Sequence, residues 1–120
     1  MLSADFGHLE RDTRMVDASA AEWVHIDVMD GVFVPNISFG FPVLKAIRKA
    51  TAKFLDVHLM IVSPEKYVAR FAEAGADLVT FHLEATDDPA GPEPKRACRS
   101  SRRRRWRRCA RCCRWWTWCW

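Results

Sequence analysis

The amino-acid sequence predicts an α/β fold in which helices alternate with the strands of a parallel sheet. Three observations on residues 1–94 lead to this prediction. Short segments rich in apolar and β-branched residues recur, amphipathic segments separate them, and the connections between them are short. An open doubly wound sheet and a closed (β/α)8 barrel both agree with this order. The sequence has neither a GxGxxG motif nor a Walker loop to favour a nucleotide-binding version.

Three segments have the composition of buried strands. They are rich in apolar residues, and turn residues such as Asp30-Gly31 bound the first of them. The predicted strands are residues 23–29, 53–62 and 77–85. Residues 1–3 could be the remnant of an earlier strand. The sequence would then contain about four β/α units.

The segments between the strands have apolar residues at helical spacing. The first helix is predicted within residues 7–23 and the second at residues 41–51. The third begins with Ser63 as its cap and Pro64 in its first turn, and it ends at Gly75. The apolar face predicted for the first helix consists of Leu9, Met15, Val16 and Ala20.

The composition changes abruptly near residue 94. All fifteen Asp and Glu lie at or before Glu93, whereas eleven of the nineteen Lys and Arg and all five cysteines lie after it. We therefore expect a domain at residues 1–88 and an Arg/Trp/Cys-rich tail at residues 89–120. The first part has no cysteine, no signal-peptide pattern and no apolar run near eighteen residues. These features predict a cytoplasmic protein without a membrane segment.

Two of the predicted strands carry polar side chains where a buried sheet would normally be apolar. Because strand side chains alternate, His25, Asp27 and Met29 share one face of the first strand. On the second strand, Asp56, His58 and Met60 share a face in the same way. Buried imidazoles and carboxylates are costly unless they are paired or bind a metal ion. These positions are therefore candidates for a functional site.

The residue types on these strands suit a divalent metal ion. His25, Asp27 and His58 offer two nitrogen ligands and one oxygen ligand, a set that fits Zn²⁺, Fe²⁺, Mn²⁺ or Co²⁺ better than Ca²⁺ or Mg²⁺. The alternative is that each histidine only hydrogen-bonds a neighbouring carboxylate. His82 and Glu84, near the end of the third predicted strand, could face the same cavity in a supporting role.

Five blocks of the sequence resemble the ribulose-phosphate 3-epimerase family. They are LSADF, HIDVMDGVFVPNISFG, LDVHLM, SPEKYVARFAEAGAD and FHLEAT, and they occur in the family's order and spacing between residue 1 and about residue 86. The resemblance implies a (β/α)8 barrel with one divalent metal ion. It also implies a pentulose 5-phosphate substrate, with ribulose 5-phosphate and xylulose 5-phosphate interconverted in the pentose phosphate and Calvin pathways. Allulose-6-phosphate 3-epimerase is a related alternative.

The resemblance also implies roles for individual residues. His25, Asp27 and His58 correspond to three of the four metal ligands, and Asp27 to one of two catalytic acid/base carboxylates. Met29 and Met60, together with His58, correspond to the substrate-binding wall. Residues 30–40 correspond to a mobile loop over the substrate. The family is compatible with homo-oligomers.

The family's second catalytic aspartate and its phosphate-binding loops belong to later strands of the barrel. About half a barrel is therefore expected in these 120 residues, and no epimerase activity is expected from this chain by itself.

The tail admits several interpretations. Its arginines and tryptophans could bind nucleic acid or an anionic membrane, and its cysteines could bind zinc. However, the codons of WWTWCW, read from their third base, encode Val-Asp-(Leu/Met/Val)-Val-Leu, which is typical of a strand. We expect residues 89–120 to be epimerase coding sequence read out of frame after a shift between about Asp88 and Lys95. A non-native, disordered tail is expected, with neither a specific nucleic-acid partner nor a membrane.

Overall fold

The computed structural model describes residues 1–87, and the predicted boundary at residue 88 and the tail at residues 89–120 lie outside them. The described part alternates helices and strands as the sequence predicts. Its main elements are α1 (Leu9–Asp17), β1 (Trp23–Met29), α2 (Phe41–Ala50), β2 (Phe54–Met60), α3 (Val68–Glu73) and β3 (Leu78–Phe81). Short 3-10 helices occur at Phe6–His8, Pro64–Lys66 and Leu83–Ala85.

The three strands form one parallel sheet in the order β1-β2-β3. The parallel α/β arrangement is therefore confirmed, and β1 has the predicted bounds. β2 is shorter than predicted, and β3 ends at Phe81 instead of residue 85. The predicted strand remnant at residues 1–3 is wrong, because these residues form a turn. The described residues thus contain three strands.

The helices cover one face of the sheet. Burial alternates along β1 and β2, so that every second side chain is buried and its neighbours are partly exposed. The buried strand residues pack with side chains of α2 and α3 in one apolar core. The main members of this core are Val24, Ile26, Val28, Leu44, Ile47, Leu55, Val57, Leu59 and Phe71. The opposite face of β1 and β2 carries the polar residues.

Two details of the helices differ from the sequence prediction. Met15 is 66% exposed, and Ala20 lies beyond the end of α1, so the apolar face of this helix is narrower than predicted. Ser63 makes no capping hydrogen bond through its side chain, because its backbone is left-handed with φ of 49°. Gly75 ends the third helical segment as predicted. Its φ is 114°, and a Cβ there would lie 2.6 Å from Cγ of Arg48.

A hydrogen-bonded network joins the elements at the amino end of the sheet. Nη1 of Arg48 donates to Oδ2 of Asp77 at 3.0 Å, and the backbone N–H of Leu55 donates to the same oxygen at 2.9 Å. Nη2 of Arg48 donates to the carbonyls of Thr51 and Lys53. The guanidinium therefore ties α2 to the residues that precede β2 and β3. This fixes where the strands enter the sheet.

Candidate metal centre

The strand register brings the predicted ligands together. Asp27 on β1 lies opposite His58 on β2, and His25 lies opposite Asp56. One nitrogen from each histidine and one carboxylate oxygen of Asp27 all lie within 4.8 Å of one another. Two adjacent parallel strands therefore present the two nitrogen ligands and the one oxygen ligand expected from the sequence.

His25 lies between two carboxylates. Its Nδ1 is 2.8 Å from Oδ2 of Asp56, and its Nε2 is 3.0 Å from Oδ1 of Asp27. The hydrogen bond to Asp56 is the largest cause of a raised His25 pKa, and the charges of both carboxylates act in the same direction although burial opposes them. Asp56 thus hydrogen-bonds Nδ1 of His25, and Nε2 of His25 faces Asp27.

His58 has a different environment. Its Nδ1 is 3.5 Å from Oδ1 of Asp27, and its Nε2 is 3.0 Å from Nε2 of His82. Burial is the largest cause of a lowered His58 pKa, and the neighbouring His82 lowers it further. A lowered pKa favours the neutral imidazole, which is the form that binds metals.

These residues fit a divalent cation. When Nδ1 of a neutral His25 carries the proton toward Asp56, its Nε2 presents a lone pair to the carboxylate of Asp27. Two acceptors that face each other at this distance repel unless a proton or a cation lies between them. A set of two imidazoles and one carboxylate is typical of Zn²⁺, Fe²⁺, Mn²⁺ and Co²⁺. The alternative left open by the sequence, in which a histidine hydrogen-bonds a neighbouring carboxylate, also occurs here. Such a hydrogen bond orients the ring of His25.

His82 and Glu84 follow β3 instead of lying on it. His82 comes directly after Phe81, and Glu84 lies in the 3-10 helix Leu83–Ala85. The extended strand predicted at residues 77–85 is therefore wrong at these two positions. His82 nevertheless contacts His58, and its Nδ1 lies 3.3 Å from Oε1 of Glu84. A line of polar groups thus leads from Asp27 through His58 and His82 to the exposed Glu84.

The methionines lie where the sequence predicts. Met29 and Met60 end their strands as register partners, and both side chains are partly buried. They are on the same strand faces as Asp27 and His58, because residues two apart in a strand point the same way. They therefore border the candidate ligands on the carboxyl side.

The loop at residues 30–40 is anchored at both ends by Asp30 and Ser38, for which the sequence predicted no anchoring role. Oδ1 of Asp30 accepts hydrogen bonds from the N–H groups of Val32 and Phe33, and Oδ2 accepts one from Val62 beyond β2. Burial raises the Asp30 pKa, but these N–H groups outweigh it and the net shift is downward. The only sequence signal was the Asp-Gly turn.

Ser38 closes the loop onto β1. Its hydroxyl donates to the carbonyl of Asp27 at 2.9 Å and accepts from the N–H of Met29 at 2.9 Å. Inside the loop, the Phe33 ring lies 5.1 Å from the ring of His82, centroid to centroid. The loop therefore contacts the candidate site both at the backbone of β1 and beside His82.

Comparison with known proteins identifies the family. The model of the ribulose-phosphate 3 epimerase family matches residues 1–93. The chain belongs to the ribulose-phosphate 3-epimerase family. This membership decides between the two sheet architectures that the sequence left open, because the family has a TIM-barrel fold. The three parallel strands of the described residues agree with this fold.

Curated relatives of this epimerase family have about half of their residues in common with the chain where they align. A ribulose-phosphate 3-epimerase of Synechocystis sp. is 55% identical over 89 residues, which are 74% of this chain and 39% of the relative. One of Treponema pallidum is 52% identical over 85 residues, 71% of this chain and 39% of the relative. A cytoplasmic isoform of ribulose-phosphate 3-epimerase from Oryza sativa subsp. japonica is 46% identical over 88 residues, which are 73% of this chain and 39% of the relative.

The chain therefore spans about two fifths of the length of these epimerases. Within residues 1–87, none of the helices has the length and apolar character needed to cross a membrane.

Proposed function

We propose that residues 1–87 form the metal-binding half of a ribulose-phosphate 3-epimerase site, which interconverts D-ribulose 5-phosphate and D-xylulose 5-phosphate. The observation that carries the proposal is the position of Asp27 between His25 and His58 on the polar face of the sheet. The family membership and the names of the relatives supply the reaction class. We propose a cytoplasmic location from the name of the rice relative.

The reaction requires a proton to leave C3 of the sugar phosphate and another to return on the opposite face. C3 lies next to the ketone at C2, so loss of the proton places negative charge on oxygen. A divalent ion held by His25, Asp27 and His58 supplies positive charge that stabilises this oxygen when the ion is bound. Zn²⁺, Fe²⁺, Mn²⁺ and Co²⁺ are the candidates.

Asp27 is the acid/base residue that this part of the chain supplies. Its carboxylate can take the proton from C3 on one face of the sugar and return it in the reverse direction. Oδ1 of this carboxylate lies 3.0 Å from Nε2 of His25 and 3.5 Å from Nδ1 of His58, so that a bound cation or a shared proton would orient it between the two rings. Inversion at C3 needs a second base on the other face, and the family places that carboxylate on a later strand.

Met29, Met60 and the loop at residues 30–40 complete the proposed substrate surface. The two thioether side chains offer an apolar, polarizable wall beside the ligands, and they leave the carboxylate as the group that exchanges protons. Ser38 and Asp30 hold the ends of the loop by hydrogen bonds. The proposed closure over substrate would change the contacts of the segment between them while its ends stay fixed.

A chimera tests the proposal. Residues 1–87 of this chain replace the matched segment of the Synechocystis relative, which supplies the remaining strands. We expect the chimera to epimerise ribulose 5-phosphate at a rate within about tenfold of the parent enzyme. Asp27→Asn in the chimera should lower kcat by at least about 10³-fold, because an amide cannot act as the base.

The exposed Asp87→Asn variant of the chimera is the matched control and should keep the activity of the chimera. A folded, metal-loaded chimera without epimerase activity would contradict the proposal. Full activity of the Asp27→Asn chimera would contradict the role of Asp27.

A further inference from the structure

A second histidine lies behind one of the proposed ligands. Nε2 of His82 is 3.0 Å from Nε2 of His58, and Nδ1 of His82 is 3.3 Å from Oε1 of Glu84. His82 has no contact with Asp27 among the hydrogen bonds and ion pairs of the described residues. Any effect of His82 on a metal ion therefore passes through His58.

Two imidazole nitrogens at 3.0 Å share one proton, because two lone pairs or two N–H groups would repel at this distance. The pair then has two arrangements. In the first, His58 donates from Nε2, and its Nδ1 presents a lone pair toward Asp27. In the second, His82 donates from Nε2, and the proton of His58 lies on Nδ1. Only the first arrangement leaves His58 able to bind a metal ion beside Asp27.

The two arrangements place a proton near different carboxylates. The first puts the His82 proton on Nδ1, 3.3 Å from Oε1 of Glu84, and the second puts the His58 proton on Nδ1, 3.5 Å from Oδ1 of Asp27. A carboxylate only accepts, so each one favours the arrangement that points a proton at it. Glu84 therefore opposes Asp27 and favours the arrangement that binds metal.

We propose that His82 is a positioning residue that, with Glu84 behind it, holds His58 in its Nε2–H tautomer and so directs the Nδ1 lone pair at the metal position. This inference rests on the proposed function. The Phe33 ring lies 5.1 Å from the ring of His82 and covers part of it, so that the His82 side chain is 30% exposed. This cover supports the proposal, because it limits the access of water that would replace the contact between His82 and His58. His25 has its own orienting partner in Asp56.

The tautomer of His58 can be measured directly. The full 120-residue chain has four histidines, and ¹⁵N labelling of their rings distinguishes a protonated nitrogen from a bare one. In the metal-free chain at about pH 8.5, above the ordinary histidine pKa, we expect Nε2 of His58 to carry the proton. His82→Phe should move the proton to Nδ1, toward Asp27. His82→Gln restores a carbonyl acceptor and should return it to Nε2.

Metal affinity provides the second readout. Mn²⁺ is the probe, because it binds the cysteines at positions 98–119 of the same chain weakly. We expect His82→Phe to weaken Mn²⁺ binding by about 10- to 100-fold, and His82→Gln by less. Glu84→Gln changes an exposed residue and should keep the fold, yet it should shift both the tautomer and the affinity in the same direction as His82→Phe. His8→Gln replaces an exposed histidine that is distant in sequence from His58, and it should change neither the tautomer nor the affinity.

The outcomes separate the two proposals. If the wild-type chain does not bind Mn²⁺, the proposed metal centre fails, whereas the tautomer of the metal-free chain still decides the role of His82. If Mn²⁺ binds and neither His82→Phe nor Glu84→Gln changes the tautomer or the affinity, the positioning role is overturned and the metal centre stands.

Discussion

The amino end of the sheet and its polar face both hold clusters of charged side chains, and the two clusters are built differently. The amino-end network consists of Asp17, Arg48, Thr51, Lys53 and Asp77. The polar face consists of His25, Asp27, Asp56 and His58. Both clusters join residues that are far apart in the sequence. The difference between them lies in how their hydrogen-bonding groups are matched.

In the amino-end network, donors meet acceptors. Arg48 donates to Asp77 and to two carbonyls, and the Thr51 hydroxyl donates to Asp17 and accepts from the N–H of Lys53. The Lys53 ammonium donates to the carbonyls of Ser19 and Ala21. Such matched groups stabilise the fold and leave little capacity to bind a ligand.

On the polar face, acceptors meet acceptors whenever His25 and His58 are neutral and carry their ring protons away from Asp27, as metal binding requires. Asp27 faces two imidazole nitrogens, and Oδ1 of Asp56 is buried without a hydrogen-bond partner in the described part of the chain. Such an arrangement costs stability, and it persists where binding a ligand offsets the cost. Mismatched polar groups, more than charge itself, therefore distinguish the candidate site from a structural network. Four predictions test this contrast, from the largest expected effect to the smallest.

Removal of one candidate ligand should strongly weaken metal binding without unfolding the chain. His58→Gln in the 120-residue chain should weaken Mn²⁺ binding by about 100-fold or more, because a neutral nitrogen ligand is lost from a set of three. Titration followed by electron paramagnetic resonance measures the affinity. Asp77→Asn, in the amino-end network, should leave the affinity of the folded protein within about twofold. Equal losses for both variants would remove the distinction between the clusters.

The amino-end network should dominate stability. Asp77→Asn replaces the carboxylate that accepts from Arg48 and from the N–H of Leu55, and it should lower the free energy of unfolding by about 2 kcal/mol. Urea unfolding followed by circular dichroism measures this change. The exposed Asp87→Asn is the matched control, with little change expected. An unchanged free energy of unfolding in Asp77→Asn would mean that the network does not contribute to stability.

On the polar face, replacement of an aspartate by asparagine should change the free energy of unfolding in the opposite direction. At about pH 8.5 without metal, Asp27→Asn provides an amide N–H that can donate to a neutral His25 or His58. We expect the free energy of unfolding to rise by about 1 kcal/mol, measured as for Asp77→Asn. A loss of stability at this position would show that the polar face is matched after all.

The acid dependence of the amino-end network should follow Asp17. The hydrogen bond from Thr51 is the largest cause of its lowered pKa, and burial opposes it. A carboxyl group with a lowered folded-state pKa contributes stability above its unfolded pKa, and this contribution is lost as pH falls through the lowered value. Unfolding measured between about pH 5 and pH 2 should therefore depend less on pH in Asp17→Asn. An unchanged pH profile would exclude Asp17 as a contributor.

Much of this molecule was predictable because its signals are local. The composition of residues 23–29 and the periodicity of residues 41–51 predicted a strand and a helix almost to the residue. His25, Asp27 and His58 were predicted as metal ligands, and the structure places their potential ligand atoms within 4.8 Å of one another. Other details depended on context. Ser63 is a residue type that favours helix caps, yet its backbone is left-handed and its side chain makes no capping hydrogen bond. Met15 has the spacing of a core residue and is exposed.

The sequence by itself determined the order of elements, the alternation of side chains along each strand and the chemical types of the candidate ligands. These follow from the backbone geometry of single segments and from the side chains themselves. Only the tertiary structure decided that Asp27 pairs in register with His58, that Asp56 supports His25, and that His82 contacts His58 from beyond β3. Contacts between segments depend on how strands align and where a chain turns, and no single segment encodes that alignment.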